Sequence, residues 1–273
     1  MPETPAHINE ERAAAAFSKQ SVVFDDIYFG NTIIQYKRDR VRRHVQQYLQ
    51  QNSRVLELNS GTGEDAIWFA NNGHRVHATD ISEGMQAILA KKVRANGLEA
   101  QVSTELCSFT KLEQLKEKGP YDFIFSNFAG LNCTGEVDEV LLSLSPLLHK
   151  GGVATLVILP GFCLWETLLL FRGKFKTAFR RFFSKGGVAA HLEGEYFKCW
   201  YYNPAYIISA VKNDFDVLSV EGLCTMVPPS YIELFAEKYP RTYKTLVKWE
   251  ERYKQTWPWR NIGDYYIISL RKK

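Results

Sequence analysis

The run Arg54-Val55-Leu56-Glu57-Leu58-Asn59-Ser60-Gly61-Thr62-Gly63-Glu64-Asp65-Ala66 decides the fold. Its first five residues read as a buried strand. The turn residues Asn59 to Gly63 then break the strand, and a helix over Glu64 to Asn72 opens on two acidic side chains and stops at Asn72-Gly73. Outward from this strand, turn and helix the alternation repeats. Arg75 to Thr79 reads as a strand ending at Asp80, and Ser82 caps a helix that runs to about Asn96-Gly97. A strand near Ala100 to Leu106, a short charged helix near Leu112 to Lys118 and the apolar strand Tyr121 to Ser126 follow. Helix Val137 to His149 and strand Val153 to Leu159 complete the series, and strands near Phe215 to Gly222 and Asp264 to Leu270 close it. Right-handed crossovers in such a series give a parallel sheet with a crevice beyond the carboxyl ends of its strands.

Composition narrows the class. With 273 residues, 45% hydrophobic and 23% charged, the chain supports one core with insertions. A net charge of +4 without a clustered basic face gives no reason to expect nucleic acid as a partner. The five cysteines are scattered, odd in number and form no Cys-x-x-Cys, so neither a disulfide framework nor a metal site is expected. A reducing, cytoplasmic compartment fits that usage. Met1 to Phe17 lacks the basic and apolar regions of a secretory signal and reads as a frayed tail entering a helix. The apolar stretch Gly152 to Phe171 is broken by Pro160-Gly161 and Glu166, so no transmembrane segment is expected.

The motif Glu57-Leu58-Asn59-Ser60-Gly61-Thr62-Gly63 resembles the Glu/Asp-x-Gly-x-Gly-x-Gly signature of class I, S-adenosylmethionine-dependent methyltransferases. Asn59 stands where that family has its first glycine, and asparagine tolerates the left-handed backbone such a turn needs. The resemblance extends through Asp80 and Ser126-Asn127-Phe128 and covers roughly residues 20 to 160. It implies an α/β, Rossmann-like, doubly wound and mostly parallel seven-stranded sheet with helices on both faces. Cap helices would occupy residues 1 to 50, the cofactor-binding core 51 to 160, an insertion or lid 161 to 212, and the closing strands with a second insertion 213 to 273.

Gly61-Thr62-Gly63-Glu64-Asp65-Ala66 also matches the Gly-x-Gly-x-x-Gly/Ala turn of dinucleotide-binding proteins, so a nicotinamide-dependent oxidoreductase is the competing reading. Glu64 and Asp65 in the first helical turn would repel a pyrophosphate, whereas a sulfonium and an ammonium suit an acidic setting. A third reading is a protein that kept the pocket and lost the transfer.

The resemblance implies that Glu57 orients the methionyl ammonium, that Asn59, Gly61 and Gly63 shape the turn, and that Asp80 accepts from the ribose hydroxyls. Ile81 and Met85 would pack on the adenine face, Ser108 and Phe109 would meet its edge, and Asn127 and Phe128 would line the methionine side. Relatives often carry an aspartate where Ser108 stands. Tyr28 would close the pocket from the N-terminal helices, although core packing serves it equally well. His191, Tyr201 and Tyr202, in the insertion, are the catalytic candidates should the acceptor need a base.

Ser126-Asn127-Phe128-Ala129 lacks the paired prolines of amino-directed nucleic-acid methyltransferases, which points to a small-molecule acceptor. Trp165, Trp200, Trp249, Trp257 and Trp259 follow residue 160, and an aromatic lid suits an apolar or aromatic substrate. Leu168 to Lys185 alternates phenylalanines with basic residues and reads as a basic amphipathic helix, either a lid or a peripheral membrane contact, with the lid preferred. The sequence leaves the oligomeric state open.

Overall fold

The computed structural model describes residues 6–182, 184–232 and 234–273. Helices α1 (Ala6–Phe29) and α2 (Thr32–Val45) precede β1 (Arg54–Leu58), α3 (Glu64–Asn71) and β2 (Arg75–Asp80). Then come α4 (Glu83–Ala95), β3 (Val102–Leu106), β4 (Tyr121–Ser126), α5 (Val137–Leu147) and β5 (Leu148–Ile158). The short helices α6 (Leu164–Leu168) and α7 (Phe175–Phe179) lead to a hairpin, β6 (Val188–Leu192) and β7 (Glu195–Cys199), and to α8 (Pro204–Val211). The chain closes with β8 (Phe215–Leu223), α9 (Phe235–Lys238), α10 (Pro240–Tyr253) and β9 (Tyr265–Lys272).

Seven strands form one sheet in the order β3-β2-β1-β4-β5-β9-β8. The first five are parallel, and β9 runs antiparallel between β5 and β8. Strand order reverses between β1 and β4, which opens a crevice beside the glycine turn. The pleat sends alternate residues to opposite faces. Leu56, Leu58 and Ile124 pack under α5 and α8, whereas Val55, Phe123 and Phe125 pack under α2, α3 and α4. Burying strand residues on both faces makes the sheet a rigid floor, since each large apolar side chain contributes roughly 1.5–3 kcal/mol.

Three local expectations change. The charged helix near Leu112 to Lys118 is instead a 3-10 turn over Phe109–Gln114, because Ser108 caps Thr110 N–H and Lys111 leaves helical angles. The strand expected from Val153 begins at Leu148, whose register with Tyr121 precedes an irregularity before Phe123. Leu168 to Lys185 is not one amphipathic helix: Gly173 takes a left-handed φ of 72° and separates a 3-10 turn from α7. The hairpin β6–β7 lies in the insertion, where no strand is expected from the sequence. The frayed tail expected over Met1 to Phe17 is already helix α1 from Ala6 on, and residues 1–5 lie outside the described residues. No described helix is long and apolar enough to cross a membrane.

Candidate functional site

The turn after β1 carries positive φ at Asn59 (46°), Gly61 (55°) and Gly63 (82°), the backbone that the sequence expectation required. Asn59 does more than tolerate that angle. Its amide donates to Asn127 O at 2.9 Å and its Oδ1 accepts from Ser126 Oγ at 2.6 Å, which ties the ends of β1 and β4 together. Gly130 makes room for it, since a Cβ there would lie 2.2 Å from Asn59 Cγ. A Cβ on Gly63 would lie 2.0 Å from Leu89 Cδ1, so α4 reaches the turn only because that residue is glycine.

Carboxylates line the crevice at successive strand ends. Glu57 projects from β1, only 3% exposed, and its Oε2 has no partner. Burial pushes this carboxyl well above the ordinary range and Asp65 adds to the rise, against Arg38 and Arg42. Asp80, ending β2, accepts from Gly61 N–H at 2.9 Å and Ser82 N–H at 2.8 Å, which fixes its orientation and leaves lone pairs toward the cavity. Burial raises Asp80 too, opposed by the backbone N–H groups of Ser82, Gly61 and Ile81. Near the end of β3, Glu10 of α1 accepts from Ser108 Oγ at 2.6 Å and Thr110 Oγ1 at 2.9 Å. An unpaired buried carboxylate is costly, so the cavity is prepared for a positively charged or hydrogen-donating ligand.

The helix start contributes less negative charge than its sequence implied. Asp65 is held by Arg42 at 2.9 Å and Arg38 at 3.5 Å and accepts from Asn127 Nδ2, while Glu64 pairs with Lys92 at 2.8 Å. The electrostatic preference for a cation therefore rests on Glu57 rather than on α3.

Helix α1 roofs the cavity with Ala13, Ala14, Phe17 and Phe24. Asp25 fastens the roof by accepting from Thr62 Oγ1 at 2.7 Å and pairing with Lys92 at 2.6 Å, and Ser18 bonds Ser82 at 2.7 Å. Asn9 hooks the same helix to the hairpin through Lys198 N–H and O and to Cys133 O. The space beneath the roof, including the open solvent at its mouth, is about 900 Å³.

Of the cofactor residues chosen from sequence, Glu57, Asn59, Gly61, Asp80, Ile81, Met85, Phe109, Asn127 and Phe128 line this cavity. Gly63 lies behind it against Leu89, and Ser108 sits behind Glu10. Tyr28 packs on the lining residue Phe24, ring centroids 4.4 Å apart, so it supports the wall rather than forming it. The structure does not bring the three catalytic candidates to the cavity. His191 is exposed on β6 and stacks on Tyr196, Tyr201 lies against Arg181, and Tyr202 is buried, donating to Thr134 O. No described residue of 161–212 is among the lining, and the insertion meets the far side of the roof, with Phe197 against Phe17 at 6.0 Å.

Sequence reasoning missed Glu10, Phe17, Phe24, Arg38 and Cys133, all lining residues. The expectation that Tyr28 closes the pocket from the N-terminal helices pointed to α1, but to none of these residues. The basic residues of the insertion also have an internal use. Arg180 and Arg181 both grip Glu166, and Arg181 reaches Asp264 at 3.0 Å. Cys163, Glu166 and Asp264 lie close enough together to suggest a metal site, but these arginines and Lys37 already neutralise its carboxylates.

Residues 55–152 match the family model described as a methyltransferase domain. No curated protein sequence matches the chain. Among solved structures, the [4+2]-cyclase SpnF is similar over 97% of this chain and 96% of its own, at 16% identity and a TM-score of 0.65. The 1,6-didemethyltoxoflavin-N1-methyltransferase of Burkholderia thailandensis, bound to 1,6-didemethyltoxoflavin and S-adenosylhomocysteine, is 14% identical over 100% and 92%, with a TM-score of 0.60. Phosphoethanolamine N-methyltransferase 2 of Haemonchus contortus is 17% identical over 100% and 61%, with a TM-score of 0.61. At these identities the likenesses establish the shared fold, which also supports cyclisation in SpnF. The match to the methyltransferase-domain model spans the glycine turn and the strand ends β1, β2 and β4, where the cavity holds its unpaired Glu57 carboxyl.

Proposed function

We propose that the chain is a class I methyltransferase that draws its methyl group from S-adenosylmethionine, that the acceptor is a small, apolar or aromatic molecule held beneath α1, and that the strand-end residues divide the cofactor among them. Glu57 takes the ammonium group, and Arg38, which lines the same end, takes the carboxylate. Asp80 accepts from the ribose hydroxyls, and Ile81, Met85 and Phe109 enclose the adenine. Gly61 lets the backbone approach, Asn127 and Phe128 face the methionyl chain, and Asn59 and Gly63 hold the turn.

The bound cofactor supplies an electrophilic methyl on a sulfonium. The protein holds the acceptor in line with it and excludes water. The described lining contains neither histidine nor tyrosine, which favours an acceptor atom that attacks without a base of those types. The core, the cap helices and the insertion work as one domain, with α1 as the roof and the hairpin as its brace. Five free thiols fit a reducing, cytoplasmic setting.

The observation that carries this reading is the unpartnered Glu57 Oε2 in a cavity whose roof is apolar. Its test is mass spectrometry of small-molecule extracts incubated with the protein and S-adenosylmethionine. The expected result is a methylated apolar or aromatic metabolite formed together with S-adenosylhomocysteine. Methyl incorporation only into protein or nucleic acid would overturn it.

A further inference from the structure

Three carboxyl-bearing residues line the cavity in the order of the strand ends, two from its floor and one from its roof. Glu57 belongs to β1, Asp80 ends β2, and Glu10 lies against the Ser108–Thr110 segment that follows β3. Adjacent strands are spaced about 4.8 Å apart, so these groups span roughly 10 Å across the strand ends. An extended adenosylmethionine presents its hydrogen-bond donors in the same sequence: the ammonium, the ribose hydroxyls and the exocyclic amine of adenine. In the function proposed above Glu57 and Asp80 take the first two, and the inference rests on that reading.

Glu10 is 95% buried by its 5% exposure, yet only half of its carboxylate is used. Oε2 accepts from both Ser108 Oγ and Thr110 Oγ1, whereas Oε1 has no hydrogen-bond partner and the residue lines the cavity. Two hydroxyl donors on one oxygen fix the rotamer and leave the other oxygen as a free acceptor. Phe109, between the two hydroxyl residues in sequence, forms the adjoining apolar wall. Such a wall beside a fixed acceptor is a site for a flat heteroaromatic ring carrying an N–H donor at its edge.

We infer that Glu10, supplied by the roof helix α1, reads the adenine exocyclic amine through Oε1, with Ser108 and Thr110 as its positioning residues. The roof is therefore part of the cofactor site, and cofactor binding and roof closure reinforce each other. Asn9, next in the chain, binds Cys133 O and the hairpin strand β7, so the same contact passes to the brace behind the roof.

The test compares S-adenosylhomocysteine with its 6-deamino analogue, in which hydrogen replaces the amine, by titration calorimetry on the parent and on Glu10→Gln. The glutamine oxygen keeps the Ser108 and Thr110 bonds, and its amide NH2 turns the Oε1 position from acceptor to donor. The expected result is a loss of about tenfold or more for S-adenosylhomocysteine and little change for the analogue. Equal losses for both ligands, or no loss for either, would overturn the inference while leaving the cofactor assignment intact. Failure of the parent to bind S-adenosylhomocysteine would overturn both. Should Glu10→Gln not fold, Ser108→Ala measured in the same way decides, with a smaller loss confined to the amine-bearing ligand expected.

Discussion

Replacing Glu57 by glutamine separates binding from stability, because the two should move in opposite directions. In the free protein Glu57 is a buried carboxylate with an unpartnered oxygen and with Asp65 nearby, so folding pays for its desolvation. Neutralising it should stabilise the free protein by about 1 kcal/mol or more, a rise in Tm of roughly 2–4 °C per kcal/mol for a chain of this size. Losing a charge-assisted hydrogen bond to the cofactor ammonium should weaken binding by roughly 1.5–3 kcal/mol, about 10- to 150-fold. The sign of the pH dependence follows from the raised carboxyl. Its contribution is fully present below the unfolded value of 4.5 and is lost as pH rises through the higher folded value. The stability advantage of Glu57→Gln should therefore grow from acid toward neutral pH. Thermal unfolding across that range and calorimetry with S-adenosylhomocysteine measure both effects. A variant that is less stable and binds normally would refute the reasoning, because Glu57 would then be a structural group.

Asp80→Ala should weaken S-adenosylhomocysteine by about 10- to 100-fold, and it should also cost about 1–2 kcal/mol of stability in thermal unfolding, since Gly61 and Ser82 N–H lose their acceptor. Unchanged stability would contradict that second role. Although burial raises Glu221, His44, Gln255 and Lys254 bring it down to about 2. Its stabilisation, about 3 kcal/mol, is present above the unfolded value of 4.5 and should fade as pH falls toward 2, and Glu221→Gln should flatten that part of the acid-denaturation curve. Arg181→Glu would set like charge against Glu166 and Asp264 and should destabilise by about 3–5 kcal/mol. Because Arg180 and Arg181 are spent on internal pairs, the parent should not sediment with anionic vesicles, and clear co-sedimentation would revive a lipid-soluble acceptor. Gly130→Ala should displace Asn59 and lower stability by about 1–3 kcal/mol, with Asn59→Gly in the same chain restoring part of it; additive losses would show the two positions to be uncoupled.

The strand ends were legible because local chemistry marks them. An apolar run stops, a glycine or asparagine turn follows, and Ser82 caps the next helix; the boundaries of β1, β4 and the start of α3 came out at the expected residues. The same locality failed where tertiary contacts decide. A run of alternating phenylalanines and basic residues looks like one amphipathic helix, yet Gly173 breaks it and a buried Glu166 draws Arg180 and Arg181 inward. Glu10 illustrates the limit for the site. Nothing within several residues of it signals a ligand, and its partners Ser108 and Thr110 lie about a hundred positions away. The departure at Asn59 was legible as a tolerated backbone, but its compensation at Gly130 was not, because that match exists only across β1 and β4. Polar residues in the insertion invited a catalytic reading by type alone, whereas His191 lies on the hairpin beside Tyr196, Tyr201 against Arg181, and Tyr202 donates to Thr134 O.

Calorimetric titration of the unmodified protein with S-adenosylhomocysteine and, separately, with NADH tests the central claim most directly. A cavity floored by the unpaired Glu57 carboxylate should bind S-adenosylhomocysteine through its ammonium and reject a pyrophosphate. The account predicts saturable one-to-one binding of S-adenosylhomocysteine, with NADH weaker by at least about tenfold. Tighter binding of NADH would contradict it.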